Sequence, residues 1–103
     1  MVINMQIESS RTQGCLNLKL SGRLETSTAP KLQEVVEKEL EGTDELRMDM
    51  EGIEYVSSAG LRVLLAASKE MKAKGGKMVV SHVNDDVMEV FEITGFKEIL
   101  TIE

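Results

Sequence analysis

The 103-residue chain has one cysteine, one proline, one histidine and no tryptophan. The lone Cys15 excludes an internal disulfide. It lies among apolar residues and reads as a small buried side chain, which makes the cytoplasm the simplest compartment. One histidine, one cysteine and scattered carboxylates make a poor metal-ligand set, and no cofactor motif is present. Aromatics are scarce: Tyr55, Phe91 and Phe96 are the full complement. The core must therefore be aliphatic, helped by seven methionines that fill irregular gaps. No apolar run approaches the ~20 residues that span a bilayer. The opening Met1 to Gln6 lacks a basic region and a long apolar stretch, so no secretory signal is expected. Basic residues are outnumbered 12 to 18, giving a net charge of −6. Without a basic stripe, such a surface repels phosphate backbones and anionic lipid heads. Neither nucleic acid nor a membrane is expected as a direct partner.

What is present is ordinary for one soluble domain: 42% hydrophobic and 29% charged residues. A chain of this length buries roughly two-thirds of its unfolded surface, enough for one core. Ile3, Met5 and Ile7 alternate with Asn4, Gln6 and Glu8, as in a half-buried strand. Ser9 to Gly14 reads as a polar connection. Leu16, Leu18 and Leu20 alternate again and predict the second arm of an antiparallel hairpin. Gly22 to Ala29 is turn-rich. Pro30 suits a first helical turn, followed by Leu32, Val35, Val36 and Leu40 at helical spacing and by Gly42 as terminator. Leu46, Met48 and Met50 predict a third strand. Leu61, Leu64, Leu65 and Met71 then predict a helix face, ending in Lys72 and Lys74 before Gly75-Gly76. Met78, Val79 and Val80 form a fourth strand. Asn84 caps a last helix with Asp85 and Asp86 in its first turn, Val87, Val90 and Phe91 on its inner stripe, and Gly95 at its end. Ile99, Leu100 and Ile102 form a short final segment that reads as a strand.

Helices between strands imply parallel pairing with right-handed crossovers. The expectation is a single α/β domain over residues 1–103. Its sheet is mixed, mostly parallel and four- to five-stranded, with an N-terminal hairpin and packed helices. Because the first three strands alternate, one sheet face should be less covered by helices than the other. The exits of strands 2 and 3 should share the edge where open α/β sheets place their sites. The loops Gly22 to Thr28 and Gly52 to Ser58 should therefore be neighbours, with Glu25, Thr26, Ser57 and Ser58 on one surface.

Several chemistries could use that edge. Ser57 and Ser58 stand just before an apolar helical run, where a serine hydroxyl accepts from a free N–H of the first turn. A hydrolase elbow needs Gly-x-Ser-x-Gly, but position 56 is Val. Spacing alone leaves open a triad of Ser58, His82 and an acid, set against the simpler reading of one solvated histidine. Gly75-Gly76-Lys77 is followed by Met78 and lacks the P-loop spacing, so it reads as a helix terminator. Gly60, early in a helix, is costly by propensity. It serves either close packing on the sheet or the approach of a partner's backbone. Glu25 and Glu54 read by themselves as solvated loop carboxylates.

The run Asp49-Met50-Glu51-Gly52-Ile53-Glu54-Tyr55-Val56-Ser57-Ser58-Ala59-Gly60-Leu61 resembles the signature of the STAS family. More specifically it is similar to the bacterial anti-sigma-factor antagonists, whose pattern is Asp-hydrophobic-x-x-hydrophobic-x-aromatic-hydrophobic-Asp-Ser-small-Gly-Leu. Gly22-Arg23-Leu24-Glu25, Gly75-Gly76-Lys77-Met78 and Ile93-Thr94-Gly95-Phe96 match further landmarks, so the resemblance covers nearly the whole chain. It implies a STAS domain acting as a partner-switching regulator, not an enzyme. The implied partners are an anti-sigma factor that is also a kinase of the histidine-kinase-like ATPase fold, and a metal-dependent serine phosphatase. ATP and magnesium belong to those partners. The resemblance puts the phosphate on Ser58, with Ser57 as the second choice. It puts the docking surface at Glu25, Thr26, Ser57, Ser58, Gly60 and Leu61. Two positions depart from the pattern: Ser57 stands where Asp is usual, and Glu25 where Asp is usual. The residues also fit two other readings. The first is a non-cycling STAS scaffold, such as an accessory subunit of a transport ATPase. The second is a small serine hydrolase.

Overall fold

The computed structural model describes residues 5–103. Its elements run β1 (Met5–Thr12), β2 (Cys15–Leu24), α1 (Ala29–Glu39), β3 (Glu45–Val56), α2 (Ser58–Ala73), β4 (Lys77–Ser81), α3 (Asp85–Thr94), α4 (Phe96–Ile99) and β5 (Thr101–Ile102). The five strands form one sheet in the order β1-β2-β3-β4-β5. β1 and β2 are antiparallel, and every later pair is parallel. This is the mixed, mostly parallel α/β sheet that the alternation and the intervening helices predict. Ile3 and Asn4, assigned to the first strand, lie outside the described residues.

Three boundaries differ from expectation. Ser9 to Thr12 is strand, not connection: Arg11 pairs with Leu16 and Thr12 with Cys15. The turn is only Gln13-Gly14, both with positive φ of 46° and 83°, as a two-residue hairpin turn with matching twist demands. The strand is hard to read there because β1 is an edge strand. Its residues after Ile7 are exposed on both faces, so no apolar alternation marks them. Second, β2 and β3 run on past Gly22 and Gly52 to the pairs Arg23–Tyr55 and Leu24–Val56, with bulges at Lys19/Ser21 and Gly22/Arg23. Gly22 adopts φ 103° at the bulge, a conformation open to glycine. Third, Ile99 lies in the short helix α4 and is exposed, while Leu100 is buried and β5 is only Thr101–Ile102.

The core occupies one face of the sheet. Leu16, Leu18 and Leu20 of β2, Leu46, Met48 and Met50 of β3, and Met78 and Val80 of β4 are buried against the helices. Leu32 and Val36 come down from α1, Leu64, Ala67 and Met71 from α2, and Val87 and Phe91 from α3. Leu65, expected on the inner face of α2, is only half-buried, and Val63 takes the deeper place. Asn84 fixes α3 at both ends of its amide. Its oxygen accepts from Val87 N–H at 2.8 Å, and its nitrogen donates to the Ile53 carbonyl at 2.8 Å.

Among the described residues no helix lines the opposite face, where Asn17, Lys19, Arg47, Asp49 and Ser81 border a concavity of about 590 Å³. Its charges largely pair within the face. Arg47 bridges Glu45 at 2.7 Å and also reaches Glu103. Asp49 accepts from Glu51 N–H at 2.9 Å and lies 3.0 Å from His82 Nδ1. Burial pushes the Asp49 carboxyl up, but the Glu51 N–H and His82 outweigh it and leave the carboxyl below its ordinary range.

A carboxylate with a depressed folded pKa contributes stability that is present above its unfolded value and lost as pH falls through the folded one. The Asp49 contribution should therefore be complete at neutral pH and fade below about pH 4. Urea unfolding of Asp49→Asn and of the parent, followed between pH 7 and pH 3, should show a gap that narrows on acidification. A constant gap would assign the loss to packing alone.

Candidate functional site

The candidate site forms where β2 and β3 end side by side. Their pairing runs to Leu24–Val56, and the Ser57 N–H then donates to the Leu24 carbonyl at 2.9 Å. One extended residue, Ser57 with φ −94° and ψ 176°, separates β3 from α2. The chain turns there without a loop because Ser57 meets the needs of the helix start. Its carbonyl accepts from Leu61 N–H at 2.9 Å. Its Oγ accepts from Gly60 N–H at 3.4 Å, the long form of an N-terminal cap.

Ser58 is the first helical residue and is exposed, and among the described residues its hydroxyl makes no hydrogen bond. The two serines thus have different duties. Ser57 Oγ is held by the helix, and Ser58 Oγ is open to solvent above the unpaired N–H groups and positive end of α2. An added anion at Ser58 would meet favourable backbone dipoles.

Gly60 resolves between its two readings. A Cβ there would lie 2.7 Å from Leu24 Cγ and 2.9 Å from the Leu24 carbonyl oxygen. Gly60 is buried, and Leu61 beside it is buried in the core. Both residues seat the helix on the sheet and present no surface to a partner, contrary to the expectation that they line the docking face.

The loop after β2 is tied from within by Thr28. Its Oγ1 donates to the Arg23 carbonyl at 2.6 Å and accepts from Glu25 N–H at 2.9 Å. The Thr28 and Ala29 N–H groups in turn donate to the Glu25 carbonyl at 3.0 and 2.7 Å. This turn holds Glu25 half-buried and Thr26 exposed, next to the α2 start. The Glu25 carboxylate accepts from Arg23 Nε at 3.3 Å, and the Arg23 guanidinium sits 4.5 Å above the Tyr55 ring, a cation–π distance. Tyr55 is 42% exposed despite its size. Beyond Thr26, a shallow groove of about 370 Å³ runs between α1 and α2, bordered by Ala29, Pro30, Ala59 and Arg62 among others. Glu25, Thr26, Ser57 and Ser58 therefore share one edge of the sheet, as the topology predicts. Arg23, Tyr55 and Arg62 join them. The Arg23–Tyr55 pairing depends on bulged register, which sequence spacing does not reveal. Arg62 was findable, being four residues past Ser58 on one helix.

The hydrolase arrangement does not form. His82 pairs with Asp49, seven residues before Val56 on β3, on the order of 20 Å from the α2 start at the ~3.3 Å rise of a strand. No group of three or more His, Cys, Asp or Glu that could hold a metal exists among the described residues. No described helix is long and apolar enough to cross a membrane.

Comparison with known proteins agrees with this architecture. The STAS domain pattern matches residues 6–103. The chain belongs to the STAS family. This STAS chain is 25% identical over 100 residues to an anti-sigma-B factor antagonist of Bacillus subtilis, covering 97% of this chain and 92% of that protein. Its backbone matches the crystal structure of an anti-sigma factor antagonist from Mycobacterium paratuberculosis with a TM-score of 0.84 at 19% identity, over 95% of this chain and 84% of the other. It also matches the Bacillus cell fate determinant SpoIIAA in its phosphorylated form, with a TM-score of 0.74 at 16% identity, over 96% of this chain and 90% of the other. The unphosphorylated SpoIIAA gives the same TM-score of 0.74 at 15% identity, over 96% and 86%.

The division between the serines is testable by stability. Ser57→Ala should cost about 0.5–1 kcal/mol in urea unfolding, as for a lost cap. Ser58→Ala should stay within about 0.5 kcal/mol of the parent. Equal costs would contradict separate duties. Gly60→Ala should cost about 1–3 kcal/mol, since Leu24 must yield to the new methyl, and amide shifts in the same variant should move at Leu24 and the first turn of α2. A change below about 0.5 kcal/mol would contradict the tight approach.

Proposed function

We propose that this STAS domain is an anti-sigma-factor antagonist that switches partners through phosphorylation of Ser58. The observation that carries the reading is the free Ser58 hydroxyl on the first residue of α2, beside a neighbour whose hydroxyl is already used as the cap. The kinship with proteins named as antagonists supports the function. The equal fit to SpoIIAA with and without phosphate supports a switch that leaves the fold intact.

Unmodified, the surface of Glu25, Thr26, Ser57 and Ser58 docks an anti-sigma factor of the histidine-kinase-like ATPase fold, and the sigma factor is freed for transcription. Gly60 and Leu61 hold that surface from beneath. The same partner, carrying ATP and magnesium, then modifies the domain. Ser58 Oγ forms a bond to the γ-phosphorus while the bond from that phosphorus to the β,γ-bridging oxygen breaks. ADP leaves, and the serine proton passes to a base on the kinase. The complex separates, and a metal-dependent serine phosphatase later returns Ser58 to its hydroxyl. The domain itself is a regulator and substrate, working in the cytoplasm where ATP is at hand.

Phosphorylation adds about −1.5 to −2 charges. Buried against an acidic or desolvated partner surface, that charge costs several kcal/mol. A loss of ~3 kcal/mol weakens binding roughly 100-fold.

Calorimetric titration of the cognate kinase should therefore show tight binding by Ser58→Ala in the presence of ATP. Ser58→Asp should bind on the order of 100-fold more weakly. Peptide mass spectrometry after incubation with kinase and ATP should place one phosphate on Ser58. Phosphate on Ser57 alone would move the switch by one residue. No phosphate on either serine, with a tight complex indifferent to ATP, would replace the reading with a non-cycling scaffold.

A further inference from the structure

We infer that Arg62 is the counter-ion of the phosphorylated switch, its guanidinium closing back over a phosphate on Ser58. The inference rests on the reading of Ser58 as the phosphate acceptor and names how this chain holds that group. Ser58 and Arg62 both lie in α2 and are both exposed. Residues four apart on a helix are neighbours, about 5–6 Å between Cβ atoms. Helical side chains lean toward the N-terminus, so a long side chain covers the turn before its own Cα. For Arg62 that turn is the one containing Ser58. The order of charge is the favourable one, with the anion toward the N-terminus and the cation one turn later.

Arg62 is also uncommitted. Among the described residues it forms no salt bridge, whereas Arg23 at the same edge is engaged by Glu25 and Tyr55. Lys69 and Lys72 stand toward the other end of α2. Arg62 borders the groove that also touches Ala59, directly after Ser58, and Thr26 of the neighbouring loop. It is thus a cation that can reach the phosphate without giving up a salt bridge. A guanidinium suits the role, because its planar fork donates two hydrogen bonds to phosphate oxygens where an ammonium acts as a point charge. The pairing offsets the repulsion between the phosphate and the nearby Glu25 carboxylate. It also draws Arg62 toward the phosphate at the mouth of the groove.

The test uses the full chain with phosphoserine built in at position 58, so that no kinase is needed. Phosphorus-31 NMR follows the second ionisation of the phosphate in the parent, Arg62→Gln and Arg62→Lys. An opposite charge favours the dianion and lowers the pKa. At low ionic strength the parent value should lie roughly 0.3 unit below that of Arg62→Gln, within what an exposed ion pair supplies. Arg62→Lys should fall between them, and the gap should shrink at high salt. The Arg62 Nε signal should also shift as the phosphate titrates. Equal pKa values in parent and Arg62→Gln, with a static Nε signal, would overturn the inference. Arg62 is exposed, so the glutamine variant should keep the parent amide spectrum. Whether a kinase modifies Ser58 is read separately by mass spectrometry, so failure of one idea is distinct from failure of the other.

Discussion

The first turn of α2 rests directly on the last residue of β2, and the rest of the site depends on that contact. Gly60 lies so close to Leu24 that even a methyl group would meet both its side chain and its carbonyl. The Leu24 carbonyl is at the same time the acceptor for Ser57 N–H. Two consequences follow from these short distances. The chain passes from strand to helix through a single residue, so the helix axis starts at the edge of the sheet. The loop that follows Leu24 is forced to lie beside that helix start, which is why Thr26 and Ala59 border one groove. A larger residue at position 60 would push the helix outward and separate the two halves of the surface.

Two adjacent serines at a helix start are redundant as caps, and the geometry removes the redundancy. Ser57 is extended and turns its hydroxyl to the Gly60 N–H. Ser58 has already entered the helix and faces water. A chemical change at Ser58 therefore need not cost the cap. Free N–H groups at the helix start accept an anion without rearrangement. On a chain of net charge −6, two further negative charges matter little to the fold and much to a surface that must be desolvated on docking. The proposed switch is therefore one of interface electrostatics, with the core beneath left fixed.

Much of this was readable from residue order, and the exceptions have physical causes. Strands with one buried face announced themselves by alternation, as with Leu16, Leu18 and Leu20 or Leu46, Met48 and Met50. Ser9 to Thr12 did not, because an edge strand exposed on both faces has no reason to alternate. The strand extensions to Leu24 and Val56 were hidden by Gly22 and Gly52, which look like turn residues but serve a bulge and a close approach; a Cβ on Gly52 would lie 2.6 Å from Ser21 Cβ. At the site, Ser57, Ser58, Glu25 and Thr26 followed from topology and from the STAS signature. Gly60 and Leu61 belong to the same signature for a different reason: they build the seat of the helix. A motif records residues that position a surface together with residues that form it, and burial is needed to separate them. Thr28 was missed altogether, since its hydroxyl serves the loop backbone on both sides and leaves no periodic trace.

The open sheet face and the α2 edge arrange their charges differently. On the open sheet face, Arg47 is held by Glu45 and Glu103, Lys77 approaches Glu45, and Asp49 is matched by His82 and a backbone N–H. Charges answered in this way give an incoming partner little to gain, because each new pairing breaks an old one. At the α2 edge Arg23 is engaged by Glu25 and Tyr55, but other groups are left without partners among the described residues. Ser58 and Arg62 are unpaired, and Tyr55 exposes a large ring. Groups of this kind gain contacts on docking without losing any, and aromatic and arginine side chains are the usual anchors of protein interfaces. The contrast in charge satisfaction, more than exposure alone, supports the proposal that the α2 edge is the recognition surface.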